Sequence, residues 1–354
     1  MKFLHKKTVF LGVSGGVDSS VSAALLLEQG FDVVGVFIKT WQPEWVQCTW
    51  RDEKRDAMRV CAHLGIPFLF FDFEQEYKEG VADYMIAEYK AGRTPNPDVM
   101  CNKEIKFGAF YKKAKAMGAD FVATGHYAQN KNNTLVAGHD ANKDQTYFLW
   151  TIPHNVLQNV LFPIGHLEKK DVRKLAEKYK LPTATKKDSQ GICFIGPVDM
   201  KDFLLHYIET KKGNVLDEKG AIIGSHDGAL LYTLGERHGF TISTQTPDQE
   251  PYFIIAKDIK NNTLTVSKNK FTKSENTSQM FDLISCNWIS AVPEIGKTYS
   301  ARFRYREALS EVRILAIKDN TAHIEIINKE TILTPGQSAV LYESETCLGG
   351  GIIV

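Results

Sequence analysis

Gly12-Val13-Ser14-Gly15-Gly16-Val17-Asp18-Ser19-Ser20 lies between a run rich in Val, Phe and Leu at residues 7–13 and a helical pattern at residues 19–28. That order predicts a strand, a tight turn and a helix. Adjacent glycines let backbone amides approach an anion with no Cβ in the way. The helix that follows aims the positive end of its dipole at the same spot. Ser14, Ser19 and Ser20 add hydroxyl donors, and Asp18 is placed to hold a magnesium ion. The stretch reads as a phosphate cradle. It is not a Walker loop, because four spacers followed by Gly-Lys and Ser or Thr are absent.

Outward from the cradle, strand and helix patterns alternate. Asp32–Lys39 is a β-branched run, residues 51–64 are helical, and residues 67–73 suit a buried strand. Residues 74–90 carry Tyr77, Val81, Tyr84 and Met85 at helical spacing; a helix at residues 103–117 and a strand at residues 120–124 follow. Repeated βα alternation predicts an α/β fold with a doubly wound parallel sheet. Ligands of such sheets collect beyond the carboxyl ends of the strands. The cradle and Thr124-Gly125-His126 both fall there.

Near Gly213 the texture becomes turn-rich, with a hairpin about Asn261-Asn262. From about Phe281 five strand-like runs with short connections predict a β-barrel. The expected domains are residues 1–207 for nucleotide binding, a small connecting domain at 208–275, and a C-terminal β-barrel at 276–354.

The chain has 354 residues and a formal net charge of +1, so any nucleic-acid surface must be arranged locally. No apolar run approaches the ~18 residues of a membrane span, and the N-terminus enters its first strand too soon for a signal peptide. A cytoplasmic protein is expected. The six cysteines are scattered without zinc spacing, which points to reduced thiols with one or two reactive members.

Two cysteine segments stand out. Residues 94–107 read Thr-Pro-Asn-Pro-Asp-Val-Met-Cys-Asn-Lys-Glu-Ile-Lys-Phe. Cys101 falls beside a helix start with Lys103 and Lys106 close by, a setting that lowers a thiol pKa. It reads either as a nucleophile or as a buried structural cysteine. Asp98 is a candidate general acid or base. The second segment, Lys187-Asp188-Ser189-Gln190-Gly191-Ile192-Cys193-Phe194-Ile195-Gly196, is polar and Gly-punctuated around its lone thiol. Two thiols within reach can pass sulfur by thiol–disulfide exchange.

The Ser-Gly-Gly-x-Asp-Ser pattern resembles the pyrophosphate (PP) loop of ATP pyrophosphatases. Taken with both cysteine segments, Gly125-His126-Tyr127-Ala128, Lys143–Leu149, Leu231–Gly235, Phe303–Arg306 and Leu348–Gly351, the chain resembles the bacterial tRNA-specific 2-thiouridylase family nearly end to end. The resemblance implies ATP, with Mg2+, on Gly12, Val13, Ser14, Gly15, Gly16, Val17, Asp18 and Ser19, its adenine near Ile38 and Gly125. It implies that Cys193 carries a persulfide from a cysteine desulfurase or sulfur-relay protein, with Cys101 as partner nucleophile ending in a transient disulfide with it. Asn96, Pro97 and Asp98 would surround the target uridine; Lys143, Asp144, Gln145, Tyr305 and Arg306 would touch tRNA. A monomer is implied. Ile38 stands where the family has Met, and Glu236 where it has Gln. The competing readings are a PP-loop amide synthetase with a nitrogen nucleophile, which needs neither cysteine, and a non-catalytic RNA-binding protein.

Two basic surfaces suit RNA phosphates. Between Glu168 and Lys212 stand eleven Lys and Arg against seven acids. Arg302, Arg304 and Arg306 alternate with Phe303 and Tyr305, which on a strand puts three guanidinium groups on one face.

Overall fold

A computed structural model describes residues 6–46, 49–187, 196, 198–243, 250–269, 279–327 and 331–354. Cys48 and Cys193 lie outside the described residues.

The N-terminal half is the doubly wound unit expected from the alternation. Its strands are β1 (Thr8–Gly12), β2 (Asp32–Lys39), β3 (Phe68–Asp72), β4 (Phe121–Ala123) and β7 (Val160–Leu161), all parallel in the order β3-β2-β1-β4-β7. β1 is buried through its middle, as a strand covered by helices on both faces must be. Helices α1 (Val17–Glu28) and α2 (Trp50–Leu64) follow β1 and β2. The chain returns from β1 to β2 on one side and reaches β4 on the other. The gap between β1 and β4 is therefore the topological switch point, where such sheets open a crevice.

Residues 74–90 are helical throughout, α3, as the spacing of Tyr77, Val81 and Met85 predicts. The next helix, α4, differs from expectation. It covers residues 97–116 and begins at Pro97, not near residue 103. Asn96 is its N-cap, its Oδ1 accepting from the Asp98 and Val99 amides at 3.1 and 3.2 Å. Proline is well suited to the first helical position, where its missing N–H is no loss. Residues 101–110 of α4 are wound in wide π turns, a geometry that recurs at functional sites.

A hairpin of β5 (Ala128–Lys131) and β6 (Thr134–Ala137) leaves this unit and joins the C-terminal sheet, Val136 pairing with Thr346. Helix α5 (Lys169–Lys178) packs beside α1. A small sheet follows: β8 (Gly213–Leu216), β9 (Ile222–His226), β10 (Thr241–Ile242), β11 (Phe253–Asp258) and β12 (Thr263–Ser267), in the order β10-β9-β8-β12-β11. Phe203, Val215, Leu231 and Leu264 share one core with Phe71, Tyr77 and Phe110 of the first unit.

The C-terminal barrel comprises β13 (Gln279–Trp288), β14 (Thr298–Arg302), β15 (Ser310–Lys318), β16 (Thr321–Ile326), β17 (Ser338–Glu343) and β18 (Thr346–Ile353). β13 pairs with both β16 and β18, which closes the ring. β18 was not among the five runs expected. Its glycines lower the strand signal, yet a Cβ on Gly349 would fall 2.0 Å from the Asn287 carbonyl of β13. Close backbone approach demands glycine there. Trp150 and Tyr147 pack with Val340, Tyr342 and Cys347, so the barrel is fastened to the first unit by apolar core.

Candidate active site

A cavity of about 510 Å3 opens at the switch point. Its floor is the cradle: Gly12, Val13, Ser14, Gly16, Val17, Asp18 and Ser19 all line it. α1 begins at Val17 with Gly16 as N-cap and no side-chain cap. Its first-turn amides are the donors an anion would use. The loop is braced internally: Ser20 Oγ donates to the Gly16 carbonyl at 2.7 Å, and Ser14 N donates to Ser19 Oγ at 3.2 Å.

Two glycines give the loop its shape. Gly15 has φ +72°, and a Cβ on it would sit 2.5 Å from the Glu53 carbonyl of α2. A Cβ on Gly125 would sit 2.9 Å from Ser19 N and 3.0 Å from Asp18 C. Gly125 thus lets the end of β4 press against the first turn of α1. The two missing side chains let α2 and the end of β4 close against the loop and the first turn of α1. Ile38 lines the cavity from β2, beside Val36 and Phe37, and provides an apolar wall for a base.

Asp18, the expected magnesium ligand, is otherwise engaged. Lys169 Nζ lies 2.6 and 2.8 Å from its two oxygens, and Tyr127 OH donates to Oδ1 at 2.8 Å. Among the described residues no group of three His, Cys, Asp or Glu could hold a metal ion. The described residues alone do not make a site for a resident magnesium.

One wall comes from α4. Asp98, Asn102 and Lys106 stand four residues apart on one face and all line the cavity. Asn102 donates to the Asp98 and Phe148 carbonyls. Lys106 Nζ donates to His126 Nε2 at 3.4 Å, so the Nδ1 proton goes to Thr124 Oγ1 at 2.7 Å. Burial, reinforced by the Lys106 charge, holds His126 well below the usual histidine pKa. A neutral imidazole backed by a cation therefore faces the space beside the cradle.

Cys101 lies on the inner side of α4. It is fully buried, shares a core with Ile105 and Phe110, and is not among the cavity-lining residues. Burial is the setting expected by the second of the two readings of this thiol, that of a buried cysteine at a helix start. Asn96 and Pro97 start the helix and set its direction.

The mouth is built by two segments distant in sequence, residues 143–148 and 305–306. Lys143 and Gln145 line it, as do Phe148, Tyr305 and Arg306. The Phe148 and Tyr305 rings lie 4.6 Å apart between centroids, and the Arg306 guanidinium stands 5.1 Å from the Tyr305 ring. Arg306 has φ +62°, a left-handed conformation rare for arginine, and its Nε donates to the Asn142 carbonyl. Such strain collects where a side chain must be aimed.

Asp144 is placed differently from its neighbours. Its carboxylate is 5% exposed and accepts from Gly138 N, Thr146 N, Thr146 Oγ1 and the Arg302 guanidinium. It holds the turn that carries Lys143 and Gln145 rather than facing the opening. The three-arginine stripe does not form. β14 ends at Arg302, so strand alternation stops there. Arg302 turns inward to Asp144, and Arg304 donates to the Leu234 carbonyl and Thr334 Oγ1. Only Arg306 of the three lines the cavity.

Cys193 lies outside the described residues. Lys187 and Gly196, on either side of its segment, both line the cavity. Sequence reasoning missed Asn102, Lys106 and Phe148. Placing the helix start at Asn96-Pro97 would have exposed the spacing of Asp98, Asn102 and Lys106.

A parallel α/β sheet with an uncapped Gly-Ser cradle at its switch point, fused to two β domains, defines a PP-loop type of nucleotide-binding enzyme. Family models match along the chain: a tRNA methyl transferase HUP domain at residues 7–197, a tRNA methyl transferase PRC-barrel domain at 201–268 and an aminomethyltransferase beta-barrel domain at 278–353. The chain is 45% identical over 356 residues to tRNA-specific 2-thiouridylase MnmA 2 of Geobacillus kaustophilus, covering 99% of this chain and 95% of that one. It is 46% identical to the tRNA-specific 2-thiouridylases MnmA of Oceanobacillus iheyensis (100% and 96% covered) and Listeria innocua (98% and 94% covered). The chain belongs to the MnmA family of tRNA-specific 2-thiouridylases.

Proposed function

We propose that this protein is an ATP-dependent tRNA-uridine 2-sulfurtransferase that thiolates the wobble uridine of tRNAs of the Lys, Glu and Gln type. The observation that carries the reading is one cavity shared by a phosphate cradle, an acid and an aromatic, basic mouth drawn from residues 12–19, 98–106, 143–148 and 305–306. Kinship with the thiouridylases over the whole chain supports the same reading.

ATP is the co-substrate, with its triphosphate on Gly12–Ser19 and its adenine against Ile38 and Gly125. Any magnesium would arrive on the phosphate oxygens. A wobble base, single-stranded and easily unstacked, enters past Tyr305 and Phe148. Uridine O2 attacks the α-phosphorus and pyrophosphate leaves. Lys106, paired to neutral His126, stands where negative charge would grow. The terminal sulfur of a Cys193 persulfide bonds to C2 as AMP departs. Cys101, buried on the inner side of α4, is uncovered for the next step by a local opening of that helix; its thiolate attacks Cys193 Sγ and breaks the sulfur–sulfur bond. Sulfur stays on the base, and the Cys101–Cys193 disulfide is reduced by an external thiol. Asp98 serves as the acid or base, with Asn96 and Pro97 fixing its place beside the target base. Lys143, Gln145, Tyr305 and Arg306 bind tRNA, and Asp144 holds the turn that carries the first two. A cysteine desulfurase or sulfur-relay protein supplies the persulfide in the cytoplasm, where the protein acts as a monomer. Among the described residues no helix is long and apolar enough to cross a membrane.

The test is twofold. Nucleosides of tRNA from cells lacking the protein should be devoid of 2-thiouridine by mass analysis, and the purified enzyme should release pyrophosphate only with tRNA. Cys101→Ser and Cys193→Ser should each abolish thiolation. Full turnover by both variants would instead favour an amide synthetase.

A further inference from the structure

The cradle contains a charge conflict. Asp18, the one acid among residues 12–20, stands in the first turn of α1 and lines the cavity that a polyanion would enter, as do Glu53 and Asp98 from neighbouring elements. An unscreened carboxylate there would repel the phosphates that the amides attract. Lys169, the first residue of α5, lies behind it. Its Nζ spans both Asp18 oxygens at 2.6 and 2.8 Å, and its side chain is only 15% exposed while Asp18 is 32% exposed. The Lys169 amide also donates to Asp140 Oδ2 at 3.0 Å, and the Asp140 carbonyl accepts from Lys143 N at 2.9 Å. One residue thus touches the phosphate loop with its side chain and the turn at the cavity mouth with its backbone.

We propose that Lys169 is a positioning residue of this site, neutralising Asp18 so that the cradle accepts a triphosphate and holding α1 in register with the turn that carries Lys143. The role rests on ATP use as proposed above. Lys169 does not line the cavity, so it acts through Asp18 and not as a phosphate ligand.

ATP titration calorimetry on the full chain, without tRNA, tests this directly. Lys169→Met should raise the ATP dissociation constant about tenfold or more, the scale of one uncompensated charge in a partly buried site. Lys169→Arg should restore most of the affinity. Adding Asp18→Asn to Lys169→Met should recover affinity as well, because the repelling carboxylate is then gone; a merely structural lysine would not behave so. If Lys169→Met fails to fold, Lys169→Gln is read in the same way. ATP bound equally by wild type and Lys169→Met would overturn the role, as would a double variant weaker than the single one. Failure of the wild-type chain to bind ATP at all would instead sink the function on which the role rests.

Discussion

Gly125→Ala separates steric approach from backbone strain at the phosphate cradle. The new Cβ would lie 2.9 Å from Ser19 N, 3.0 Å from Asp18 C and 3.2 Å from Ser19 Cα. All three atoms are backbone of α1's first turn, so no side chain can swing aside. Gly125 is not among the glycines at positive φ, and alanine meets no dihedral penalty there. The cost is overpacking alone, about 1–3 kcal/mol. Gly15→Ala adds a left-handed φ of +72° to a contact of 2.5 Å with the Glu53 carbonyl. Strain of about 1–2 kcal/mol on top of overpacking gives about 2–5 kcal/mol in all. Gly65→Ala is the control: its φ is +68° at the C-cap of α2, but nothing lies within 4 Å of the new Cβ. It should cost about 1 kcal/mol. Denaturant unfolding should rank the losses as Gly15, then Gly125, then Gly65. ATP calorimetry should show weakened binding for the first two only, about tenfold for each 1.4 kcal/mol diverted from the cradle. Wild-type ATP affinity in Gly125→Ala, or a Gly65 loss exceeding that of Gly15, would refute this account of the loop.

Arg302→Met leaves Asp144 buried without its cation and should cost about 3–5 kcal/mol in unfolding experiments, with the Arg302→Met/Asp144→Asn double variant closer to wild type; equal losses would mean that the pair does not join barrel to catalytic unit. Burial holds the His226 ring below its usual pKa, and His126 likewise with the Lys106 charge adding to it. Below about pH 6.5 the unfolded chain takes protons that the folded one refuses, so stability is complete above that pH and falls as pH drops, by up to about 1.4 kcal/mol per unit for each ring. His226→Gln should flatten the slope between pH 6.5 and 5, and an unchanged slope would count against the assignment. Cys101 is fully buried, so N-ethylmaleimide should modify it far more slowly in the native protein than in urea, as read by peptide mass; equal rates would contradict its placement.

Much of this architecture was legible from local patterns. The β1–turn–α1 cradle, the β-branched run of β2 and the amphipathic α2 and α3 each carry their own period and punctuation. Their faces follow from spacing alone, and the switch-point rule then puts Gly12–Ser19 beside Thr124-Gly125. The α4 start was equally local, written in Asn96-Pro97-Asp98, where the asparagine caps and the proline takes the first helical position. β18 was harder to see, because the glycines that weaken a strand signal are required by the carbonyl of a neighbour more than sixty residues away.

Residue identity by itself determined the chemistry on offer: amides and hydroxyls for phosphates, an acid, two singular cysteines, and aromatic and basic groups for a nucleobase and its backbone. Tertiary structure decided which of these are used and from where. Lys143, Asp144 and Gln145 are consecutive, yet two line the cavity while the middle one is sealed against Arg302, because a turn points successive side chains in different directions. Arg302, Arg304 and Arg306 parted for the same reason once β14 ended. Asp18 is paired with Lys169, a residue that no sequence spacing links to it. Burial and long-range pairing depend on the whole chain's packing, and neither is encoded within any single segment.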